Sequence, residues 1–207
     1  MILNENNIAF LKSQSKRRIT LNEYVKAYYD ANILPYDNAL DNVIQKSCAR
    51  VFEITKAAYN NPSHEFYYSY DKRINEYGNH VENVLCAAIE EITGNSAKNL
   101  GVGYPDVRTK IFDYNIYPEC KICADIDDVG SMRSFYTTTP AERTKKIKDL
   151  HDGIHLLFKF EHDGPGKLTG RYKIWDLNGL EYTAEGSLQQ GNAKDIDTHC
   201  KVVMDYE

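Results

Sequence analysis

Apolar residues recur at two different periods along this chain, and the period changes near its middle. Between about 41 and 59, Val43, Ile44, Cys48, Val51, Phe52, Ile54 and Thr55 fall three and four apart, the spacing of one helix face. This helix opens at Asp37 or Asp41, and Asn60-Asn61-Pro62-Ser63 stops it. Between about 79 and 92, Val81, Val84, Leu85, Ala88, Ile89 and Ile92 line another face, with Gly94-Asn95 as its stop. Upstream, Thr20-Leu21-Asn22-Glu23 reads as a capping box for a helix through about Asp30, and Pro35 breaks the pattern after it. Phe66-Tyr67-Tyr68-Ser69-Tyr70 fits neither period.

Beyond residue 100 the pattern shortens to period two. Residues 107–112 and 116–124 read as strands joined by a turn around Asp113-Tyr114, and 132–137 as a further extended segment. Pro140 suits the first turn of a helix running to about Asp152. Residues 154–160 form a strong strand, Asp163-Gly164-Pro165-Gly166 a turn, and 170–177 a last clear strand closed by Asn178-Gly179. The tail after Glu185 is polar and carries no assignment. Helices first and sheet later predict an α+β (mixed α/β) fold, a central mixed sheet flanked by helices. No repeat or linker interrupts the 207 residues, so a single domain is expected, helical over about 1–75.

Composition narrows the picture. At 42% hydrophobic and 27% charged, the chain matches an ordinary globular protein. No apolar run approaches the ~20 residues of a membrane span, and the N-terminus lacks a signal-peptide pattern, so no membrane partner and a cytoplasmic location are expected. Five cysteines, an odd number, are expected as reduced thiols. The net charge of −5 argues against a uniformly basic surface. Cations cluster, however: Lys12, Lys16, Arg17 and Arg18 in one group, and Arg143, Lys145, Lys146 and Lys148 in another. Local patches, not the total, govern phosphate contacts.

The candidate chemistry lies on the two strands after residue 105. Pro105-Asp106 is followed by Glu119-Cys120-Lys121. With a tight turn between Phe112 and Asn115, antiparallel partners have numbers summing to about 227, which sets Asp106 opposite Lys121 with Glu119 diagonal to it. Period two puts Glu119 and Lys121 on one face and Cys120 on the other. Mg2+ is a hard cation for which one or two carboxylates plus a substrate phosphate suffice, and the main-chain carbonyl of Cys120 could add a ligand. Beside a phosphodiester, such a site makes the chain a candidate metal-dependent nuclease, with Lys121 offsetting charge in the transition state.

This constellation resembles the catalytic core of the PD-(D/E)XK nucleases, and among them the type II restriction endonucleases. The resemblance covers about residues 75–178 and rests on the trio, with the helix and strands around it. It implies a restriction endonuclease-like core, Asp106 and Glu119 as metal ligands, and Lys121 as the catalytic lysine. Glu82, on the preceding helix, sits where many members carry a further metal-binding glutamate. Segments after the lysine strand often face DNA in the family, which points to Arg133, Ser134 and Tyr136; the basic helix with Arg143, Lys145, Lys146 and Lys148 would position phosphates. The implied activity is Mg2+-dependent hydrolysis of double-stranded DNA at a short site, leaving 5′-phosphate ends, by a homodimer.

Other motifs point to ordinary packing. Cys120 and Cys123 are a lone pair sent to opposite faces of a strand; His151 and His155 are separated by a break at Gly153; Asp125, Asp127 and Asp128 lack the glycine and glutamate of a calcium loop. His155 reads as a packed or DNA-facing strand residue, Trp175 and Phe158 as core. Two alternatives stay open: a repair or junction-resolving nuclease on the same core, and a non-catalytic DNA-binding or protein-interaction domain.

Overall fold

The computed structural model describes residues 18–101, 104–128, 149–183 and 193–207. Its first helix, α1 (Leu21–Tyr29), starts where the capping box places it: the Thr20 hydroxyl accepts from the Glu23 amide at 3.0 Å and the Glu23 carboxylate accepts from the Thr20 amide at 2.7 Å. Helix α2 (Asp41–Ala58) follows a 3-10 turn over Asn38–Leu40 that the Asp37 side chain caps. Helix α3 (Ile74–Thr93) begins five residues earlier than the apolar repeat predicts and ends on Gly94 at φ +70°, the left-handed geometry that glycine adopts freely. A short α4 (Ala193–His199) lies near the C-terminus, in the tail that carries no sequence signal. Among the described residues no helix is long and apolar enough to cross a membrane.

The strands are β1 (Arg18–Thr20), β2 (Ile33–Leu34), β3 (Ala97–Asn99), β4 (Val107–Ile111), β5 (Tyr114–Cys123), β6 (Gly153–His162), β7 (Leu168–Asp176), β8 (Glu181–Thr183) and β9 (Lys201–Tyr206). Strands β1 and β8 form a separate two-stranded ribbon. The main sheet has the order β3-β4-β5-β6-β7-β9, with β2 also paired to β6. Strands β5 and β6 run parallel and the other neighbours on that path antiparallel, so the sheet is mixed as expected. A parallel pair needs a long crossover; here it spans residues 124–152, of which 129–148 lie outside the described residues. Residues 149–152, expected as the last turn of a basic helix, are not helical. The main chain there turns into β6 through Gly153, where a Cβ would meet the Asn115 carbonyl oxygen at 2.5 Å.

Strand alternation sorts the sheet into two unlike faces. Even-numbered β5, β6 and β7 side chains (Ile116, Cys120, Ile154, Leu156, Phe158, Phe160, Tyr172, Ile174) join odd-numbered Val107 and Ile111 of β4 in one apolar cluster with α2 and α3. Phe52 of α2 meets Phe160 edge-on, centroids 5.7 Å apart. Burying an aromatic of this size stabilises the fold by about 1.5–3 kcal/mol. On the other face, Tyr117, Leu157 and Trp175 cluster with Tyr24 and Val25 of α1, Tyr182 of β8 and Ile196 of α4. At the far edge, Ile174 pairs with Met204 and Trp175 with Val202, so Val203 bulges out of β9.

Candidate active site

The β4–β5 hairpin turns through two residues, Phe112 and Asp113, with Phe112 at φ +52°. Thr109 lies opposite Ile116, Lys110 opposite Asn115 and Ile111 opposite Tyr114. Partner numbers therefore sum to 225, two fewer than expected. The turn is as tight as expected but sits one residue earlier, which corrects the predicted pairing: continued down the ladder, it sets Asp106 level with Glu119 and not with Lys121. Because the error is an even number, every side chain keeps its face, and the three groups still meet.

They meet closely. The Lys121 Nζ donates to Glu119 Oε1 at 2.5 Å, to the Cys120 carbonyl at 3.0 Å and to Asp106 Oδ2 at 3.3 Å. The same Asp106 oxygen accepts from the Cys120 amide at 2.9 Å. Main-chain bonding fixes Asp106 from the other side, since its carbonyl accepts from the Leu100 amide at 2.7 Å. Asp106 and Glu119 are 9% and 3% exposed, so the cluster holds two carboxylates and an ammonium almost out of water. Burial and the nearby Asp106 charge push the Glu119 carboxyl up to about 8. Burial would lower Lys121, but Glu119 and Asp106 outweigh it and hold the ammonium above its ordinary value. The net direction is a firmly charged lysine beside a carboxyl pair that resists carrying two negative charges.

Cation binding fits this donor set in a specific way. Glu119 Oε2 is buried with no hydrogen-bond partner among the described residues. Such an acceptor costs free energy unless something fills it. No set of three or more His, Cys, Asp or Glu side chains closes on one point among the described residues. An all-protein cage is therefore excluded there, whereas Mg2+ asks for one or two carboxylates and keeps waters and substrate oxygens. Asp106, the free Glu119 oxygen and the Cys120 carbonyl are the groups that would hold it.

Glu82 approaches from α3, on the helix-covered side. Its carboxylate accepts from Asn99 Nδ2 at 3.2 Å, and its charge is felt by both the Cys120 thiol and the Glu119 carboxyl. It stands at the margin of the trio, oriented by β3. Arg133, Ser134, Tyr136, Arg143, Lys145, Lys146 and Lys148 lie outside the described residues, as do Lys12, Lys16 and Arg17. Arg18 is engaged internally, with Asp195 at 2.8 Å and the His199 ring at 2.9 Å. Cys120 and Cys123 are buried thiols, Cys123 donating to the Phe160 carbonyl, while Asp125 accepts from the Asp127 amide in a local turn and Asp127 pairs with Arg171.

Sequence reasoning missed the aromatic bracket under the trio. Tyr104, immediately before Pro105-Asp106, stacks on His155 of β6 (centroids 5.6 Å), and its hydroxyl meets His155 Nδ1 at 2.5 Å. The other neighbour of that ring is Tyr117 of β5, at 4.6 Å. His155 is fully buried, and burial depresses it to about 3, so the imidazole is neutral. It is a packed residue, tying the segment that carries Asp106 to β6 and to β5, the strand that carries Glu119 and Lys121. A tyrosine and a histidine 51 positions apart give no local sign of this.

Comparison with known proteins identifies the family of the chain. No solved structure matches the chain at significance. A type II restriction enzyme, MjaV of Methanocaldococcus jannaschii, is 26% identical over 217 residues, covering 94% of this chain and 90% of that protein. The model of the type II restriction enzyme MjaV family matches residues 11–194. That span takes in α1 through β8 with the whole Asp106–Glu119–Lys121 cluster, and this chain belongs to the MjaV family of type II restriction enzymes.

Proposed function

We propose that this chain is a Mg2+-dependent, site-specific endonuclease of the PD-(D/E)XK type that hydrolyses duplex DNA and leaves 5′-phosphate ends. The observation that carries the reading is the Lys121 ammonium lodged between two buried carboxylates, one of which keeps a free buried oxygen. Asp106, Glu119 and the Cys120 carbonyl would hold Mg2+, which when bound supplies positive charge to the scissile phosphate and to its nucleophile.

The protein groups contribute binding and charge. Lys121, kept protonated by its neighbours, is an electrostatic partner for the negative charge that develops on the phosphorus oxygens. Its fixed position, set by three acceptors, means that little reorganisation is needed as that charge grows. Glu119 gives up its proton when positive charge arrives at its free oxygen, which couples cation affinity to pH. Cutting both strands of a symmetric site is simplest for a two-fold pair of chains, so a homodimer is part of the reading.

The test is plasmid DNA incubated with Mg2+ and the purified chain, beside Asp106→Ala and Lys121→Ala. Discrete fragments from the parent and none from either variant are expected. Equal cutting by all three would remove the catalytic assignment, and a smear in place of fragments would favour an enzyme that reads DNA shape.

A further inference from the structure

The site face of β3 and β4 carries cations that the trio does not use. Lys98 of β3 lies directly opposite Arg108 of β4, and Lys110 is the next residue of β4 on the same face. Asp106 precedes Arg108 by two positions, so all four share one face. The Arg108 charge is felt by the Tyr117 hydroxyl, in keeping with the side on which it projects. Lys98 and Lys110 are exposed and Arg108 is half-buried.

Two features of this row need a partner. Like charges directly across an antiparallel pair destabilise it, yet Lys98 and Arg108 are so placed. Most other cations of the sheet and its flanks are neutralised: Lys121, Arg171, Lys173, Lys167 and Arg50 each reach a carboxylate within 3.5 Å. Lys98, Arg108 and Lys110 reach none among the described residues. Arg108 donates to the Asp149 carbonyl at 2.8 Å, while the Asp149 carboxylate turns to His151 at 3.6 Å. A lysine guarding a sheet edge is common and would explain Lys98, and Lys110 just past the last β3 pair; it does not explain Arg108, which lies inward of the edge strand.

Resting on the endonuclease reading above, we infer that Lys98, Arg108 and Lys110 form a phosphate track that carries the DNA backbone away from the scissile bond. Successive same-face residues of a strand are about 6.6 Å apart, so Asp106, Arg108 and Lys110 step along β4 in line with a polyanion. The occupant is duplex DNA, whose phosphates relieve the opposed charges of Lys98 and Arg108. The contacts are to the backbone and carry no base preference.

Binding of a random-sequence 30-base-pair duplex, followed by fluorescence anisotropy in EDTA over a salt series, tests the track. Lys98→Gln, Arg108→Gln and Lys110→Gln together are expected to flatten the slope of log affinity against log salt by about 2–3, near 0.9 for each phosphate no longer neutralised. Affinity at low salt should fall about 10- to 100-fold. A control with Lys46→Gln, Lys56→Gln and Lys72→Gln, exposed positions on α2 and before α3, should keep the parent slope. Equal slopes for the two triple variants would overturn the inference. Lys98→Gln alone should melt at or above the parent, because it removes one of two opposed like charges; a lower melting temperature would assign Lys98 to folding and overturn its place in the track. Plasmid cutting with Mg2+ is read in parallel. A parent that cuts, beside a triple variant that binds as the parent does, overturns the track alone. A parent that binds with the expected slopes and does not cut overturns the endonuclease reading and leaves the track standing. A parent that does neither overturns both.

Discussion

The two faces of the central sheet are built from the same strands and could hardly differ more. Toward α2 and α3, Val107, Ile116, Ile154, Leu156, Phe158, Phe160 and Ile174 interlock, and the polar side chain that β4 buries among them is the neutral Thr109, whose hydroxyl donates to the Ser96 carbonyl. Toward the other side the same strands bury Asp106, Glu119, His155, Lys159 and Glu161. Lys159, 1% exposed, spends its ammonium on the Ile126 and Asp128 carbonyls, and Glu161 holds Arg171, Thr169 and the Ile126 amide. Buried charges stabilise a fold weakly, or not at all, relative to apolar residues of similar volume. The lesson is a division: the charged groups that chemistry can use are confined to one face, beside a second apolar cluster, while the other face is packed with apolar side chains.

That division can be broken from either side. The largest effect expected is on cutting: Glu119→Gln should reduce plasmid cleavage by about 1,000-fold while the melting temperature near pH 7 holds, because Gln, like the protonated Glu119 carboxyl, is neutral beside Asp106. A variant that keeps cutting would show the polar face to be structural. On the apolar face, Phe158→Ala should cost about 3–5 kcal/mol in urea unfolding, with any surviving folded protein still able to bind Mg2+. Loss of Mg2+ binding without loss of stability would reverse the assignment of the faces. Tyr104→Phe keeps the stack on His155 but removes its hydroxyl from Nδ1, a buried loss of about 1–3 kcal/mol. If the bracket positions Asp106, the Mg2+ concentration for half-maximal cutting should rise as well; a purely structural bracket would lower stability and leave that concentration alone.

A finer contrast comes from pH. The folded chain keeps a proton on Glu119 up to about 8, whereas the unfolded chain loses it near 4.5, so stability falls as pH rises through that window. His155 works the other way. It refuses a proton down to about 3 when folded and accepts one near 6.5 when unfolded, so stability falls as pH drops through that window. Between about 4.5 and 6.5 the two slopes oppose each other. Their joint contribution is a plateau there with a decline on each side, at most about 1.4 kcal/mol per pH unit for each group. Glu119→Gln should erase the alkaline decline and spare the acid one, as read from unfolding curves at a series of pH values. An unchanged alkaline limb would mean that Glu119 is not the buried acid described.

Much of this arrangement is legible in the sequence, for identifiable reasons. Helices α2 and α3 declare themselves because long amphipathic repeats specify both type and face. Strands β6 and β7 do so through dense β-branched and aromatic runs. The ribbon of β1 with β8, and strands β2, β3 and β9, are two to six residues long, too short to carry a period, and all but β3 pair with a partner distant in sequence. For the site, parity matters more than register: strand alternation puts Asp106, Glu119 and Lys121 on one face even though the turn sits one residue earlier than its residues suggest. Tyr104 with His155, and Asn99 with Glu82, escape a sequence reading because nothing in the spacing of such pairs marks a contact made only by folding.

The bulge at Val203 has a bearing on how copies of this chain can associate. An extended rim with evenly spaced amides would invite a second molecule to zip on and continue the sheet. Here the rim loses step halfway along six residues, so an incoming strand that matches its first half is out of phase with its second. Pairing of two molecules through this rim is therefore disfavoured, which guards one side of the sheet against the indiscriminate adhesion of main chain to main chain.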